Sequence, residues 1–368
     1  MINKERLIKT FMDYVIIDSE TKNEKAISER IAKDLKDLGF KVYVDNSGEK
    51  AKSNGNNVYC FLEGTKDLDP ILFSAHMDTV TPGVGIEPYM DGEYIKSKGD
   101  TILGGDDKSG IAAIIEALKV IKENNLPHGP IEVVFSICEE GGLLGAKYVE
   151  LDKLKSKQAV VLDSGNSPSK IVIEAPGQNN IHAKVFGKPS HAGGNPEDGI
   201  SAIMVLAEAV INMKLLRIDE ETTANIGTFK AVGVTNIVSP YAEMIAEARS
   251  RSGEKLKQQT EHMIECLENA CKKYGAKLEY NVTEKYSSYA LDPKDELVEM
   301  AVKICENMGM IVEKVASGGG SDANIYNKNG IKSINLGTGM ELAHTTDEKL
   351  YIEDFVSVTK VVLSIMTR

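Results

Sequence analysis

Short runs of almost wholly apolar residues alternate with helical patterns through the first half of this 368-residue chain. A strand that is apolar on both sides needs cover on both faces of its sheet, and packed helices supply that cover. The pattern therefore predicts an α/β domain whose sheet is covered by helices on both faces. Residues 107–123 are predicted as a helix, and four runs are predicted as buried strands: VYCFL (58–62), ILFSA (71–75), IEVVFSI (131–137) and AVVLD (159–163).

The pattern changes near the middle of the chain, where apolar and polar residues alternate along the strands. Residues 181–188 and 277–286 alternate in this way, with two helices and two further strands predicted between them. The order strand-helix-strand-strand-helix-strand is that of a ferredoxin-like layer with one open sheet face. From residue 291 onward the apolar runs typical of buried elements return. We therefore predict one domain over 1–176 and 292–368, with an α+β domain inserted at 177–291.

Composition and charge exclude several classes of partner. The chain has 43 Lys and Arg against 55 Asp and Glu, a net charge of −12, and lacks the basic stripe that binds nucleic acid. No segment approaches the roughly 20 apolar residues that a membrane-spanning helix needs. The N-terminal residues lack a signal-peptide pattern, and the five cysteines form neither a CxxC pair nor a disulfide framework. We expect a cytoplasmic protein with reduced thiols that binds neither nucleic acid nor membrane.

Histidine and acidic residues follow the predicted strands at the points where the strands end. They occur in five separate places: His76 and Asp78, Asp106 and Asp107, Glu139 and Glu140, Asp163, and His344. Because ligands bind at the carboxyl ends of strands in an open α/β sheet, these places could converge on one site. Imidazole and carboxylate without thiolate are the donors of a hydrolytic zinc, manganese or cobalt site. Two divalent cations would also relieve the repulsion among converging carboxylates.

Each of these residues also has an ordinary interpretation when it is taken alone. Glu139 and Glu140 could form a solvated turn, and Asp107 could be a helix N-cap. Five such places, all at strand ends, favour a shared site over separate coincidences. Three other histidines receive no role: His182 is interpreted as structural, and His128 and His262 as surface residues.

Seven motifs together resemble the series found in the M20 metallopeptidases, most closely in their peptidase T (tripeptidase) branch. In chain order they are HMDTV, LGGDDKSG, EEGGLLGAK, LDSG, SHAGGNPEDGISA, SGGGSDA and ELAHTTDE. The resemblance covers nearly the whole chain. It implies a mixed-sheet zinc-peptidase catalytic domain and an inserted ferredoxin-like lid or dimerisation domain. It also implies a cis peptide bond after Asp106.

The resemblance further implies a site for two divalent metal ions. One ion would be held by His76 and Asp163, and the other by Glu140 and His344, with Asp106 bridging both. Zn²⁺ is the expected ion, and Co²⁺ or Mn²⁺ would fit the same donors.

Three residues take catalytic roles by the same resemblance. Asp78 would orient the imidazole of His76. Glu139 would be the general base that deprotonates a metal-bridging water and later passes the proton to the leaving amine. His191, on the inserted domain, would stabilise the developing oxyanion, usually from the partner subunit of a homodimer. A homodimer through the inserted domain is therefore expected.

Substrate contacts are implied at four positions. Arg249 would grip a substrate carboxylate, although Arg251 faces the same way on its strand. Asn236 matches a substrate-binding asparagine. In the glycine-rich motif, the backbone around Gly319 and Ser321 would approach the substrate carboxylate.

These motifs leave three functions open. The first is a two-metal aminopeptidase acting on short peptides, and the second is an M20 amidohydrolase that removes an acyl group from an N-acyl amino acid or related amide. The third is a non-catalytic relative that serves as a binding or scaffold protein. The presence of every expected ligand and of Glu139 disfavours the third. The likeness of residues 76–110 to the tripeptidase branch favours the first.

Overall fold

The structure is a computed structural model that describes residues 1–368, and its chain divides into two units. The first unit comprises residues 1–174, 291–317 and 321–368, and the second comprises residues 175–290 and 318–320. The domain boundaries predicted from the sequence lie within two residues of the boundaries at 174/175 and 290/291. The segment 318–320 was not expected in the second unit.

The regular structure consists of seventeen strands, ten α-helices and two short 3₁₀ helices, Leu151–Lys153 and Pro196–Asp198. The strands are β1 Lys41–Val44, β2 Val58–Leu62, β3 Ile71–His76, β4 Pro88–Asp91, β5 Tyr94–Ser97, β6 Ile131–Ser136, β7 Gln158–Gly165, β8 Lys170–Ala175, β9 Gly177–Phe186, β10 Leu216–Arg217, β11 Thr222–Lys230, β12 Tyr241–Ser250, β13 Lys277–Tyr286, β14 Tyr289–Ala290, β15 Glu313–Ala316, β16 Lys332–Glu341 and β17 Lys349–Tyr351. The helices are α1 Lys4–Val15, α2 Lys25–Asp37, α3 Ser47–Ala51, α4 Gly105–Asn124, α5 Leu144–Lys147, α6 Ala202–Asn212, α7 Gly253–Tyr274, α8 Glu296–Asn307, α9 Asp322–Lys328 and α10 Ile352–Met366. None of these helices combines the length and the apolar character that crossing a membrane requires.

The first unit is built on a mixed sheet with the strand order β1-β2-β6-β3-β7-β16-β17-β5-β4. Its central strands β6, β3, β7 and β16 run parallel, whereas β2 and β17 are antiparallel to their neighbours β6 and β16. Every residue of β3 and β6 is buried, so both faces of the sheet are covered at its centre. The predicted α/β domain with a mixed sheet is confirmed.

Helix α4 is buried on almost all sides, which explains why its sequence lacks an amphipathic face. It packs against α1, α10 and strand β3. Asp106 and Asp107 have non-helical backbone angles, and the peptide bond between them is cis. The regular turns therefore begin just after the two aspartates, which places both at the N-terminal end of the helix.

The second unit contains an antiparallel sheet with the strand order β10-β11-β12-β9-β13, against which α6 and α7 pack. Ile181 and Ala183 of β9 are buried in its core, whereas His182 between them is half-buried. The succession β9-α6-β11-β12-α7-β13 is the order predicted from the sequence, with the short strand β10 added. The alternating burial along β9 agrees with a sheet that has helices on one face only.

Candidate metal centre

Histidine and carboxylate side chains from five segments of the first unit lie at one edge of its sheet. His76 is the last residue of β3, Asp163 lies in the C-terminal half of β7, and Asp106 precedes the regular turns of α4. Glu140 follows β6, and His344 follows β16. Strands β3, β6, β7 and β16 are parallel, so their carboxyl ends meet at the same edge.

The imidazole of His76 faces two carboxylates. Its Nε2 atom lies 2.9 Å from Oδ1 of Asp106 and 3.8 Å from Oδ1 of Asp163. Its Nδ1 atom lies 2.9 Å from the backbone oxygen of Asp78. Because a carbonyl oxygen can only accept, Nδ1–H is the donor of that hydrogen bond. Nε2 is therefore the atom of His76 that can bind a cation together with Asp106 and Asp163.

The two oxygens of Asp106 face different histidines. Oδ1 faces His76, whereas Oδ2 lies 3.2 Å from Nε2 of His344. The same Nε2 atom lies 2.7 Å from Oε1 of Glu140. A carboxylate with one oxygen toward each of two donor groups has the geometry of a bridging ligand in a two-metal site.

The donor set of this centre fits divalent cations. His76, Asp106 and Glu140 can each offer one atom such that the three atoms lie within 4.8 Å of one another, and so can His76, Asp107 and Asp163. All the donors are imidazole nitrogens or carboxylate oxygens, which suit zinc, manganese or cobalt. Carboxylates outnumber the two imidazoles here, so added positive charge would relieve their repulsion.

Burial and mutual charge shift the pKa values within the centre. Burial raises the pKa of Asp163, and the charges of Glu139 and Asp106 raise it further. Burial would also raise the pKa of Asp106, but hydrogen bonds from His344 and His76 outweigh burial and lower it. Hydrogen bonds to Asp106 and Glu140 raise the pKa of His344 to about 10. The ionised carboxylates therefore depend on nearby positive charge.

The adjacent glutamates Glu139 and Glu140 have different surroundings. The carboxylate of Glu140 is paired with His344, whereas the buried carboxylate of Glu139 makes no hydrogen bond. Burial raises the pKa of the Glu139 carboxyl well above its usual range, against the attraction of His76. A buried carboxylate with uncommitted lone pairs is suited to accept a proton.

Asp78 joins His76 to the turn that contains the two glutamates. Its Oδ1 atom accepts from the N–H of Glu139 at 2.8 Å and lies 3.5 Å from Nδ1 of His76. Its Oδ2 atom accepts from the N–H of Glu140 at 3.2 Å and from the hydroxyl of Thr21 at 2.8 Å. Asp78 therefore holds the ring of His76, the turn of Glu139 and Glu140, and Thr21 in fixed positions relative to one another. No sequence motif surrounds Thr21, so its contact with Asp78 is not apparent from the sequence.

Asp107 and Glu348 are buried carboxylates to which the family resemblance assigns no role, although Asp107 is one of the acidic residues that follow the predicted strands. Asp107 accepts from the N–H of His76 at 3.1 Å and from the N–H of Gly110 at 3.2 Å, so it caps the first turn of α4. Glu348 accepts from backbone N–H groups of the segment that leads into Asp106. Both residues accept hydrogen bonds from backbone N–H groups that are distant in the sequence. A local sequence motif cannot predict such contacts.

In the second unit, Arg249 lies beside Gly319. The Nε and Nη2 atoms of Arg249 lie 2.9 and 3.1 Å from the two carboxylate oxygens of Glu247. Its Nη1 atom lies 4.0 Å from the position that a Cβ at residue 319 would take. Arg251 instead donates to the backbone oxygen of Glu220 at 3.4 Å. Of the two arginines, the structure thus brings Arg249 to the glycine-rich segment.

His191 and Asn236 are neighbours in the second unit, since the N–H of Ala192 donates to the backbone oxygen of Asn236 at 2.9 Å. The imidazole of His191 is exposed, and its Nδ1 atom accepts from the N–H groups of Gly193 at 3.1 Å and Gly194 at 2.9 Å. When Nδ1 accepts, the proton of the neutral ring is on Nε2. Nε2–H can then donate to a substrate oxygen.

Ser321 belongs to the first unit and is buried at the start of α9. Its N–H donates to Oδ1 of Asn324 at 3.0 Å, which closes a capping box. That N–H is therefore already used within the helix cap. The substrate contact predicted for Ser321 stays a prediction.

The surface position expected for His128 is wrong. The side chain is buried, and its Nδ1–H donates to the carbonyl oxygen of Gly129 at 2.7 Å. The backbone N–H of His128 also donates to the hydroxyl of Thr65 at 2.9 Å. The contact with the segment of Thr65 keeps the loop of His128 against the protein. The proline next to His128 in the sequence gives no sign of this contact.

Comparison with known proteins finds relatives over the whole chain. A protein-family profile described as "Peptidase family M20/M25/M40" matches residues 72–368. The crystal structure of the aminopeptidase PepT from Bacillus cereus is 42% identical, with a TM-score of 0.91, over 100% of this chain and 98% of that chain. The crystal structure of a tripeptidase from Staphylococcus aureus is 39% identical, with a TM-score of 0.95, over 100% of this chain and 98% of that chain. The Bacillus subtilis protein named "Uncharacterized protein YqjE" is 42% identical over 366 residues, 100% of this chain and 99% of that protein.

Proposed function

The chain belongs to the M20/M25/M40 family of peptidases, and we propose that it is a two-metal aminopeptidase that hydrolyses short peptides, above all tripeptides. Its likeness to the PepT aminopeptidase and to the tripeptidase, each over the full chain, supports this substrate class. The observation that supports the two-metal part most directly is the carboxylate of Asp106, whose oxygens face His76 and His344 separately.

In this proposal His76 and Asp163 hold one divalent cation, and Glu140 and His344 hold the other, with Asp106 between them. Zn²⁺ is proposed first, and Co²⁺ or Mn²⁺ suits the same donors. When bound, the cations supply polarisation of the scissile carbonyl and a water molecule of lowered pKa.

Glu139 takes the proton from the attacking water and passes it to the leaving amine. Its carboxylate is buried beside the proposed ligands and makes no other hydrogen bond, which leaves its lone pairs for this transfer. Asp78 holds both the N–H of Glu139 and the ring of His76, so base and ligand keep a fixed relation.

The second unit is proposed as a substrate-binding lid and as the interface of a homodimer. Nε2–H of His191 donates to the oxyanion that develops in the transition state, from the partner subunit of the dimer. Arg249, together with the backbone of Gly319, binds the C-terminal carboxylate of the peptide. Asn236, which is next to His191, contacts the peptide backbone.

A cytoplasmic location is proposed together with this activity. All five cysteines are buried and unpaired, as expected in a reducing compartment. Short peptides produced inside the cell would be the available substrates.

The test of the proposed function is a peptide assay with defined metal content. Protein stripped with a chelator should lose activity and regain it with Zn²⁺ or Co²⁺. A tripeptide with both ends free should be cleaved fastest, because the excess carboxylates attract its ammonium group and Arg249 binds its carboxylate. The N-acetylated and C-terminally amidated forms of the same tripeptide are the matched controls.

Two outcomes would contradict the proposal. Hydrolysis of N-acetyl amino acids faster than of free tripeptides would indicate the amidohydrolase function instead. Full turnover in excess chelator would exclude a metallopeptidase.

A further inference from the structure

Glu348 is a buried carboxylate that is bonded to backbone rather than to a cationic side chain. The residue is 2% exposed and makes no salt bridge. Its Oε2 atom accepts from the N–H groups of Leu103 and Gly104, both at 2.8 Å, and its Oε1 atom accepts from the N–H of Asp106 at 2.9 Å. One carboxylate therefore accepts from three backbone N–H groups at and just before Asp106, the residue proposed to bridge the metals.

The segment that precedes α4 is shaped to receive this carboxylate. Three backbone N–H groups of this non-helical segment converge on one acceptor, which is the kind of concave backbone that binds an anion. Gly104 has a φ of +74°, in the left-handed region that favours glycine. A Cβ at Gly105 would lie 3.0 Å from Oε1 of Glu348, so a side chain there would press the carboxylate away. The pair of glycines before Asp106 thus fits the position of Glu348.

Glu348 also anchors the segment that contains His344. Residues 344–347 are exposed, and His344 itself has a φ of +66°. The N–H of Glu348 donates to the carbonyl oxygen of Thr345 at 3.1 Å, which closes the turn. Glu348 is the first buried residue after this exposed stretch, so its side chain ties the His344 turn to the Asp106 segment.

We propose that Glu348 is a positioning residue that holds Asp106 and His344 in register and thereby sets the affinity of the second metal site. This inference rests on the proposed two-metal function. Asp106, His344 and Glu140 form the second site, and Glu348 is bonded to the segments of the first two. The site of His76 and Asp163 depends on Glu348 only through Asp106. Loss of the Glu348 carboxylate therefore weakens the second site more than the first.

The test is calorimetric Zn²⁺ titration of the full-length, metal-free protein. Glu348→Gln keeps the shape of the side chain but turns an NH₂ group toward backbone N–H donors. We expect the second-site dissociation constant to rise at least about 10-fold, as for other residues behind metal ligands, with the first site changed less than about 3-fold. His344→Ala identifies the second-site event, because it removes a ligand of that site only. Glu353→Gln, an exposed residue paired with Lys4, is the matched charge control and should change neither event.

Other outcomes separate this proposal from its alternatives. Equal weakening of both events, in parallel with a lower melting temperature of the metal-free protein, would show a purely structural role and overturn it. Unchanged affinities in Glu348→Gln would overturn it while leaving the two-metal function intact. A wild-type protein that binds a single cation would contradict the two-metal function itself. If Glu348→Gln does not fold, Gly105→Ala provides the same test with the carboxylate kept, and should again weaken the second site selectively.

Discussion

At the scale of single residues, two neighbours in the sequence are proposed to have different functions because their side chains contact different groups. Glu139 and Glu140 are both glutamates in one turn, and Asp78 holds the backbone N–H of each. Only Glu140 is paired with an imidazole, and only Glu139 has a carboxylate without hydrogen bonds. Residue type alone therefore does not separate the proposed base from the proposed ligand.

Glu139→Gln tests this difference directly. The amide cannot accept the proton of the attacking water, so kcat should fall at least about 10²-fold, the usual scale for loss of a general base. Metal content, measured by elemental analysis after dialysis, should stay at the wild-type value. Glu140→Gln is the adjacent control and should lose metal. A loss of metal in Glu139→Gln as large as in Glu140→Gln would show that the two roles are assigned wrongly.

The residues of the centre that lie at strand ends could be predicted from the sequence. The residues that hold those strand-end segments in place by hydrogen bonds could not. His76 and Asp163 are recognisable because each lies at or near the end of an apolar run, which is a local pattern. Thr21 and Glu348 act through hydrogen bonds to segments far away in the sequence. A single acid or threonine outside a strand end resembles a surface residue until the fold is known.

At the scale of secondary structure, the buried elements were predictable and the short exposed ones were not. Strand β3 and helix α4 are buried along their length, so their apolar runs are strong local signals. Strands β4 and β5 have four residues each and are partly exposed. The pairing of β4 with β5, and of β5 with β17, stabilises them, and short sequences such as PYMD do not encode that pairing.

Gly110 determines how closely α4 approaches β7. A Cβ at this position would lie 2.4 Å from the carbonyl oxygen of Leu162 and 2.6 Å from Oδ1 of Asp107. Gly110→Ala should therefore lower the free energy of unfolding by about 1–3 kcal/mol or more, as overpacking does, measured by chemical denaturation. Gly253→Ala at the first residue of α7 meets no atom within 4 Å and is the matched control. It should be neutral or stabilising by up to about 1 kcal/mol. Equal effects of the two variants would contradict the close approach of α4 to β7.

At the scale of the whole molecule, the insertion is predictable because its strands alternate between apolar and polar residues. The strands before it and the chain after it have the apolar runs of buried elements. The segment 318–320 could not be assigned in this way. Its three glycines have no hydrophobic pattern from which a domain could be predicted. Only contacts such as that of Gly320 with Tyr286 assign them to the second unit.

Complementation between two inactive variants tests the proposed homodimer. His191→Ala should lower kcat by about 10²-fold, because the oxyanion loses a donor, and should leave metal content unchanged. When His191→Ala and Glu139→Gln are mixed and exchange subunits, about a quarter of wild-type activity should return, because half of the dimers are hybrids with one intact site each. Each variant exchanged with itself is the control. Absence of recovery after demonstrated exchange would show that His191 acts within its own chain or has no catalytic role.

The strand order of the first unit also determines when its centre can be completed during synthesis. Strand β16 lies between β7 and β17, and it begins only at residue 332. On the ribosome the N-terminal parts emerge first, so all strands of the second unit are available before β16 has been made. His76 and Asp163 emerge before the second unit is complete, whereas His344 emerges only after β16. A cation present during translation would therefore encounter the half of the centre with His76 and Asp163 before the half with His344 exists.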